Sequence, residues 1–169
     1  MQNKLIIVIN GKGETGKDTL CNSLSGKYSI MNISAIDPIK EIARQHGWRG
    51  EKDDKARLFL AELKRAFINY NNLPTEYLKS RTEEFLNSSA EMLFVHIREG
   101  DQIEQYKRAI HPNRCVTLLV KRAMVDNYHR FGNAADDEVD HYAYDLIFEN
   151  DLPIEESTAA FRSFIEGIK

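Results

Sequence analysis

The chain has 169 residues, 42% of them hydrophobic and 29% charged, with a formal net charge of −3. That size and balance fit a single soluble domain with a sizeable core, and the slight acidity gives no electrostatic footing for a nucleic acid partner. No apolar run approaches the roughly 18 residues a membrane-spanning helix needs, and a first strand beginning at Lys4 leaves no space for a signal peptide, so a cytoplasmic location without a membrane partner is expected.

Leu5 to Ile9 is a run of five apolar residues that predicts a buried strand. It runs into Gly11-Lys12-Gly13-Glu14-Thr15-Gly16-Lys17, and an amphipathic stretch predicts a helix over about 16–27. A second strand is expected over 28–34. Pro38 then suits the first turn of a helix capped by Asp37 and stopping at Gly47. The apolar residues Ala56, Phe59, Leu60, Leu63, Phe67 and Tyr70 recur at a helical period over about 53–72 and are expected to pack inward, as is Trp48. Pro74 breaks that helix, and Thr75 is expected to cap another, to about Asn87.

Met92 to Ile97 predicts the third strand, Asp101 to Ile110 a helix, and Cys115 to Val120 the fourth strand. Residues 121–141 lose periodicity and carry four acids among 136–140, and a long irregular insert of this kind is more often functional than accidental. Asp145 to Glu149 makes a short fifth strand and Ile154 to Ile168 a closing helix. Strands alternating with helices imply a parallel sheet covered on both faces. Cys21 and Cys115 fall in a predicted helix and strand as buried free thiols, and His46, His96, His111 and His141 show no metal-ligand spacing.

The spacing Gly-x4-Gly-Lys between a strand and a helix is the pattern of a phosphate-binding loop. Glycines let successive backbone N–H groups converge on phosphate oxygens, the helix N-terminus adds its positive dipole end, and Lys17 supplies a mobile cation. The chain is therefore expected to bind a nucleoside triphosphate through Gly11, Lys12, Gly13, Glu14, Thr15, Gly16, Lys17, Asp18 and Thr19. The position after Lys17 is normally Ser or Thr as a magnesium ligand. Here it is Asp18, either a metal-side carboxylate or a helix-capping acid. Gly11-x-Gly13-x-x-Gly16 is also a dinucleotide fingerprint, with Asp37 21 residues after Gly16. Lys17 and the lack of room for a separate substrate domain weigh against that alternative.

There is no DxxG and no Asn-Lys-x-Asp motif, which argues against a GTPase switch. The third strand leads into Arg98, followed by Glu99, where motor-like ATPases place an acid. A planar guanidinium there suits the phosphate of an acceptor. Lys40, Arg44, Arg57, Lys121, Arg122 and Arg130 are further cations that fit a phosphorylated acceptor, with an exposed solubilising charge as the alternative for each taken singly. Asp37 is the candidate base if the acceptor were an alcohol; a structural cap is the alternative.

Four pieces occur in matching order: Gly-Lys-Asp-Thr ending the loop, Asp37-Pro38-Ile39-Lys40-Glu41, Ile97-Arg98-Glu99, and Tyr144-Asp145-Leu146-Ile147-Phe148-Glu149-Asn150-Asp151. Together they resemble the phosphometabolite branch of the nucleoside monophosphate kinase superfamily, nearest in pattern to phage-type deoxynucleoside monophosphate kinases and animal-type phosphomevalonate kinases. Asp136-Asp137-Glu138 is similar to the second group. The resemblance implies a three-layer α/β P-loop kinase fold whose five-stranded parallel sheet has the order 2-3-1-4-5. It also implies a helical substrate-binding insert over about 38–90 and a lid over about 121–141. By position, Gly11 to Thr19 would hold ATP and Mg²⁺, Arg98 the acceptor phosphate, and Arg122 and Arg130 would act as lid arginines beside Lys17. Asp37, Lys40, Arg44 and Arg57 would line the acceptor side, and Asn150 falls where such kinases approach adenine. The implied activity is ATP-dependent transfer to a phosphorylated small molecule, foremost a (deoxy)nucleoside monophosphate. The alternatives are a phosphomevalonate kinase-like enzyme and, given a lid poor in basic residues, a non-catalytic nucleotide-binding module. Nothing in the pattern favours a monomer over a dimer.

Overall fold

The computed structural model describes residues 4–128 and 139–168. Five parallel strands are β1 (Leu5–Asn10), β2 (Ile30–Ser34), β3 (Met92–His96), β4 (Val116–Lys121) and β5 (Leu146–Glu149). They lie in the order β2-β3-β1-β4-β5, as expected. Helices α1 (Lys17–Ser23), α2 (Asp37–Gln45), α3 (Asp54–Asn71), α4 (Leu73–Asn87), α5 (Gly100–Ile110), α6 (Ala123–Tyr128) and α7 (Ile154–Glu166) connect and cover them.

The middle of the sheet is buried on both sides, which is why β1 and β3 read as unbroken apolar runs. Ile6, Val8, Leu93 and Val95 face Leu78 and Phe85 of α4 and Ile103 and Tyr106 of α5. Ile7, Ile9, Met92 and Phe94 face Leu20 and Leu24, at and just past the end of α1, and Phe161 and Ile165 of α7. Because β3 separates β2 from β1, an acid ending β2 cannot stand beside the glycine loop as the dinucleotide fingerprint requires. Burial raises the Cys21 thiol to about 12 and the Cys115 thiol to about 11, so both stay protonated and unreactive.

Several boundaries differ from the sequence expectation, each for a local reason. α1 ends at Ser23 because the Ser23 and Ser25 hydroxyls bond back to Leu20 O and Asn22 O while Leu24 N–H and Ser25 N–H close tighter, three-residue turns. Asp37 does not cap α2: Ile36 holds that position, and the Asp37 carboxylate turns back to accept Ser34 N–H at 2.7 Å. Thr75 does not cap α4 either. Asn72, in the left-handed region at φ 52°, precedes the helix, and Pro74 sits within its first turn, where a missing N–H costs nothing. Cys115 lies just before β4. The helical period of α3 is right, but its apolar face is only part-covered: Ala56 is buried, whereas Phe59 is 42% and Tyr70 84% exposed.

Lys4, immediately before β1, anchors the far end of the α4 layer. Its ammonium donates to Phe85 O at 2.7 Å, Ser88 O at 2.7 Å and Ala90 O at 2.9 Å, over the face of the Phe85 ring. A cation at a helix C-terminus satisfies carbonyls that have no partner within the helix. Lys4→Met should therefore cost about 2–3 kcal/mol in urea unfolding. A loss below about 0.5 kcal/mol, the scale of an ordinary surface substitution, would show that water serves those carbonyls equally well.

Candidate functional site

The loop between β1 and α1 turns through two left-handed residues, Glu14 at φ 65° and Gly16 at φ 82°. Such a turn followed by a helix start sets successive N–H groups toward a common point, the geometry of an anion nest. A Cβ on Gly11 would lie 2.7 Å from Val120 O, and one on Gly16 would lie 2.7 Å from Asn150 Nδ2. The loop is clamped at each end by a buried asparagine. Asn10 Oδ1 accepts Gly11 N–H, while Asn10 Nδ2 donates to Arg98 O at 2.9 Å and to the Tyr144 hydroxyl at 2.7 Å. Asn150 Nδ2 donates to Thr15 O at 2.7 Å, and Asn150 N–H to Lys121 O at 2.8 Å. The Thr15 hydroxyl closes the turn onto Lys12 O.

Two cavities adjoin this loop. The smaller, about 180 Å³, is walled by Lys12 and residues 14–19. The larger, a crevice of about 350 Å³, runs over the ends of β2 and β3 and is lined by Asn10, Asn22, Asn32, Ser34, Lys40, His96 and Arg98, with Ile9, Ile36 and Ile97 as apolar patches. Lys17 and Asp18 wall both, with Lys17 Nζ 3.3 Å from Asp18 Oδ1. An anion in one cavity and an anion in the other would thus share a single lysine between them.

Arg98 opens onto the crevice. The residue is exposed overall, but partial desolvation by the surrounding walls lowers its pKa; Glu99 and Asp18 oppose the shift, and Arg57 on α3 adds to it. A guanidinium keeps its charge through such a shift. The Arg57 effect also shows that α3 brings a second guanidinium within electrostatic reach of Arg98. Glu99 is committed elsewhere: both its oxygens accept from Lys64 Nζ of α3 at 2.7 Å. His96 is lowered to about 4, by burial first and by Lys17 next, so at neutral pH it is an uncharged imidazole. Its Nε2 lies 3.3 Å from Asn32 Oδ1 and its Nδ1 lies 3.8 Å from Asp18 Oδ1.

The residues singled out from sequence divide accordingly. Lys12, Glu14, Thr15, Gly16, Lys17, Asp18 and Thr19 wall the smaller cavity, and Lys40 and Arg98 line the crevice. Asp37 is absent from the crevice lining and serves Ser34 N–H instead. Arg44 is absent too: its guanidinium lies over the Trp48 ring at 5.3 Å. Arg122, at the end of β4, lines neither cavity, and Arg130 lies outside the described residues. Asn10, Asn22, Asn32, Ser34 and Lys64 were not foreseen. Asn10 carried one usable signal, a polar residue closing an otherwise apolar strand. His96, which shows no metal-ligand spacing in the sequence, is a crevice wall.

No protein-family model matches the chain, and no curated protein does. Among solved structures it is similar to the tunicamycin resistance protein of Deinococcus radiodurans, with TM-score 0.59 and 11% identity over 96% of this chain and 95% of that one. It is similar to thymidylate kinase of Candida albicans, with TM-score 0.56 and 16% identity over 98% and 92%. Shikimate kinase of Aquifex aeolicus gives TM-score 0.54 and 14% identity over 96% and 97%. The chain has the fold of P-loop kinases.

Asn150 tests the clamp. Asn150→Ala strands the Thr15 carbonyl without its buried donor, at a cost of about 1–3 kcal/mol. It should also loosen the loop, so that ADP affinity measured by calorimetry drops along with the melting temperature. Unchanged ADP affinity would show that the loop keeps its shape without this clamp.

Proposed function

We propose that the chain is an ATP-dependent phosphotransferase that moves the γ-phosphate of ATP to a phosphorylated small-molecule acceptor. The observation that carries this reading is the pair of cavities meeting at Lys17 and Asp18. The phosphate loop walls one, and an arginine-bearing crevice forms the other. That is the arrangement a transfer between two phosphate-bearing ligands requires. A pure nucleotide-binding module has no use for the second cavity with Lys40 and Arg98 in its walls.

The acceptor we favour is a (deoxy)nucleoside monophosphate. Asn22, Asn32, Ser34 and neutral His96 give the crevice a row of uncharged hydrogen-bonding groups. These suit a base and sugar better than the aliphatic body of phosphomevalonate.

Asp18 suits Mg²⁺, an ion that takes one or two carboxylates and completes its shell with phosphate and water. Its side chain is 74% exposed and borders both cavities, and among the described residues no cluster of three His, Cys, Asp or Glu side chains offers a protein cage instead. When bound, Mg²⁺ supplies charge neutralisation on the donor phosphates. The chain's own part is alignment: the loop N–H groups fix the donor, Arg98 grips the acceptor phosphate with its planar fork, and Lys17 offsets charge between them. A phosphate oxygen is already a competent nucleophile, so the absence of Asp37 from the crevice lining removes nothing the reaction needs.

ADP release should be followed with ATP and a panel of nucleoside monophosphates, deoxynucleotides and phosphomevalonate. Stimulation by one nucleotide is the expected result; no stimulation by any phosphorylated acceptor would overturn the phosphotransferase reading. Lys17→Ala should lower kcat by about 10²–10³-fold with the fold intact. Arg98→Lys keeps the charge and loses the fork, so the acceptor KM should rise about tenfold while the ATP KM barely moves. The reverse pattern would mean that the donor and acceptor sides have been exchanged.

A further inference from the structure

Asp140 is a charged residue beside the donor loop to which phosphoryl transfer assigns no task. It lies in the short 3₁₀ turn Val139–His141, between α6 and β5. Its Oδ2 is 2.8 Å from Lys12 Nζ, and its Oδ1 is 3.9 Å from Lys121 Nζ. The Lys12 side chain is 14% exposed and that of Asp140 30%, so bulk salt screens the pair incompletely. The fold fixes the carboxylate there independently of this ion pair. Val139 is buried, and its carbonyl accepts the Tyr144 hydroxyl, which in turn accepts from Asn10 at the root of the loop. Asp145 fastens the other end of the segment by accepting both the N–H and the hydroxyl of Thr117.

We propose that Asp140 is a built-in competitor of the donor phosphates for Lys12. Lys12 walls the smaller cavity, so a carboxylate held on its ammonium occupies a cation that an incoming polyphosphate would use. The same fixed negative charge repels that anion from close range. Nucleotide binding then exchanges one partner of Lys12 for another, and Asp140 thereby lowers nucleotide affinity. This inference rests on the loop being the nucleotide site.

The test uses the full chain and ADP without metal. Asp140→Asn keeps the side-chain shape and removes the charge; it should bind ADP about fivefold to tenfold more tightly than the unaltered chain at low salt, with the gain shrinking as salt rises. In a Lys12→Met background the gain from the same substitution should shrink clearly, because the contested cation is gone and only the direct repulsion remains. Should Asp140→Asn prove unstable, Asp140→Ser makes the same measurement. Equal or weaker ADP binding by the charge-removed variant, or an undiminished gain in the Lys12→Met background, would overturn the proposal. If the unaltered chain binds no ADP at all, the nucleotide reading itself fails, and the first titration shows it before any variant is made.

Discussion

Turning successive backbone N–H groups toward one point sets like dipoles side by side, and a loop holds that shape only if something outside it does the holding. Here two buried asparagines do. Asn10 fixes the loop where it leaves β1, and Asn150 fixes it where it enters α1. Both amides spend their donors on partners far along the chain: Asn10 on Arg98 O and Tyr144, Asn150 on Thr15 O. The consequence goes beyond rigidity. Because Asn10 bonds the backbone of Arg98 directly, the loop after β1 and the root of Arg98 are a single hydrogen-bonded unit. The distance between them is set by the sheet.

The sheet order explains why this unit lies at a crevice. From β1 the chain crosses to β2 at the edge, returns to β3 beside β1, and then moves to β4 on the other side. Loops leaving β1 and β3 therefore diverge, and ligands settle where they part. Concentrating cations there would strain a fold with no compensating charge. Three lysines at or near the site each have an acid: Lys17 has Asp18, Lys64 has Glu99, and Lys12 has Asp140. Arg98 feels the attraction of Asp18 and Glu99 as well. The charge on these three lysines is thus available to an anion by exchange of partners, which favours ligands that bring several charges at once.

What could be read from the chain was whatever local pattern encodes. The loop and its lysine are contiguous, and the alternation of strands and helices is a matter of period and punctuation, so both were legible; the strand order came from the family resemblance. Long-range polar contacts were not. Asn150 meets Thr15 across 135 positions and Asn10 meets Tyr144 across 134, and no local pattern announces such a pairing. Asp37 and Arg44 show the opposite error. Placement after β2 suggested a candidate base in Asp37 and a cation for an acceptor phosphate in Arg44, yet a nearby N–H and a neighbouring indole took them first. Short polar side chains meet local partners whenever the backbone offers one, and sequence alone does not show which offer prevails. On α3 the apolar period was real, but a period shows that a face is apolar without showing how much of it the rest of the fold covers.

That last point separates the two halves of the site physically. The donor loop springs from β1, whose residues from Ile6 to Asn10 are all buried, and is clamped from both ends. By contrast α3 buries Ala56 alone among its residues, leans on α2 and α4, and reaches the β3 end through the Lys64–Glu99 pair. Few buried apolar contacts mean a small free energy of local opening. The helix carrying Arg57 is therefore the yielding element, and the loop after β1 the fixed one. Under the proposed transfer between two anions this division would be useful: the loop would keep its N–H groups aligned throughout, while α3 could shift its guanidinium relative to Arg98.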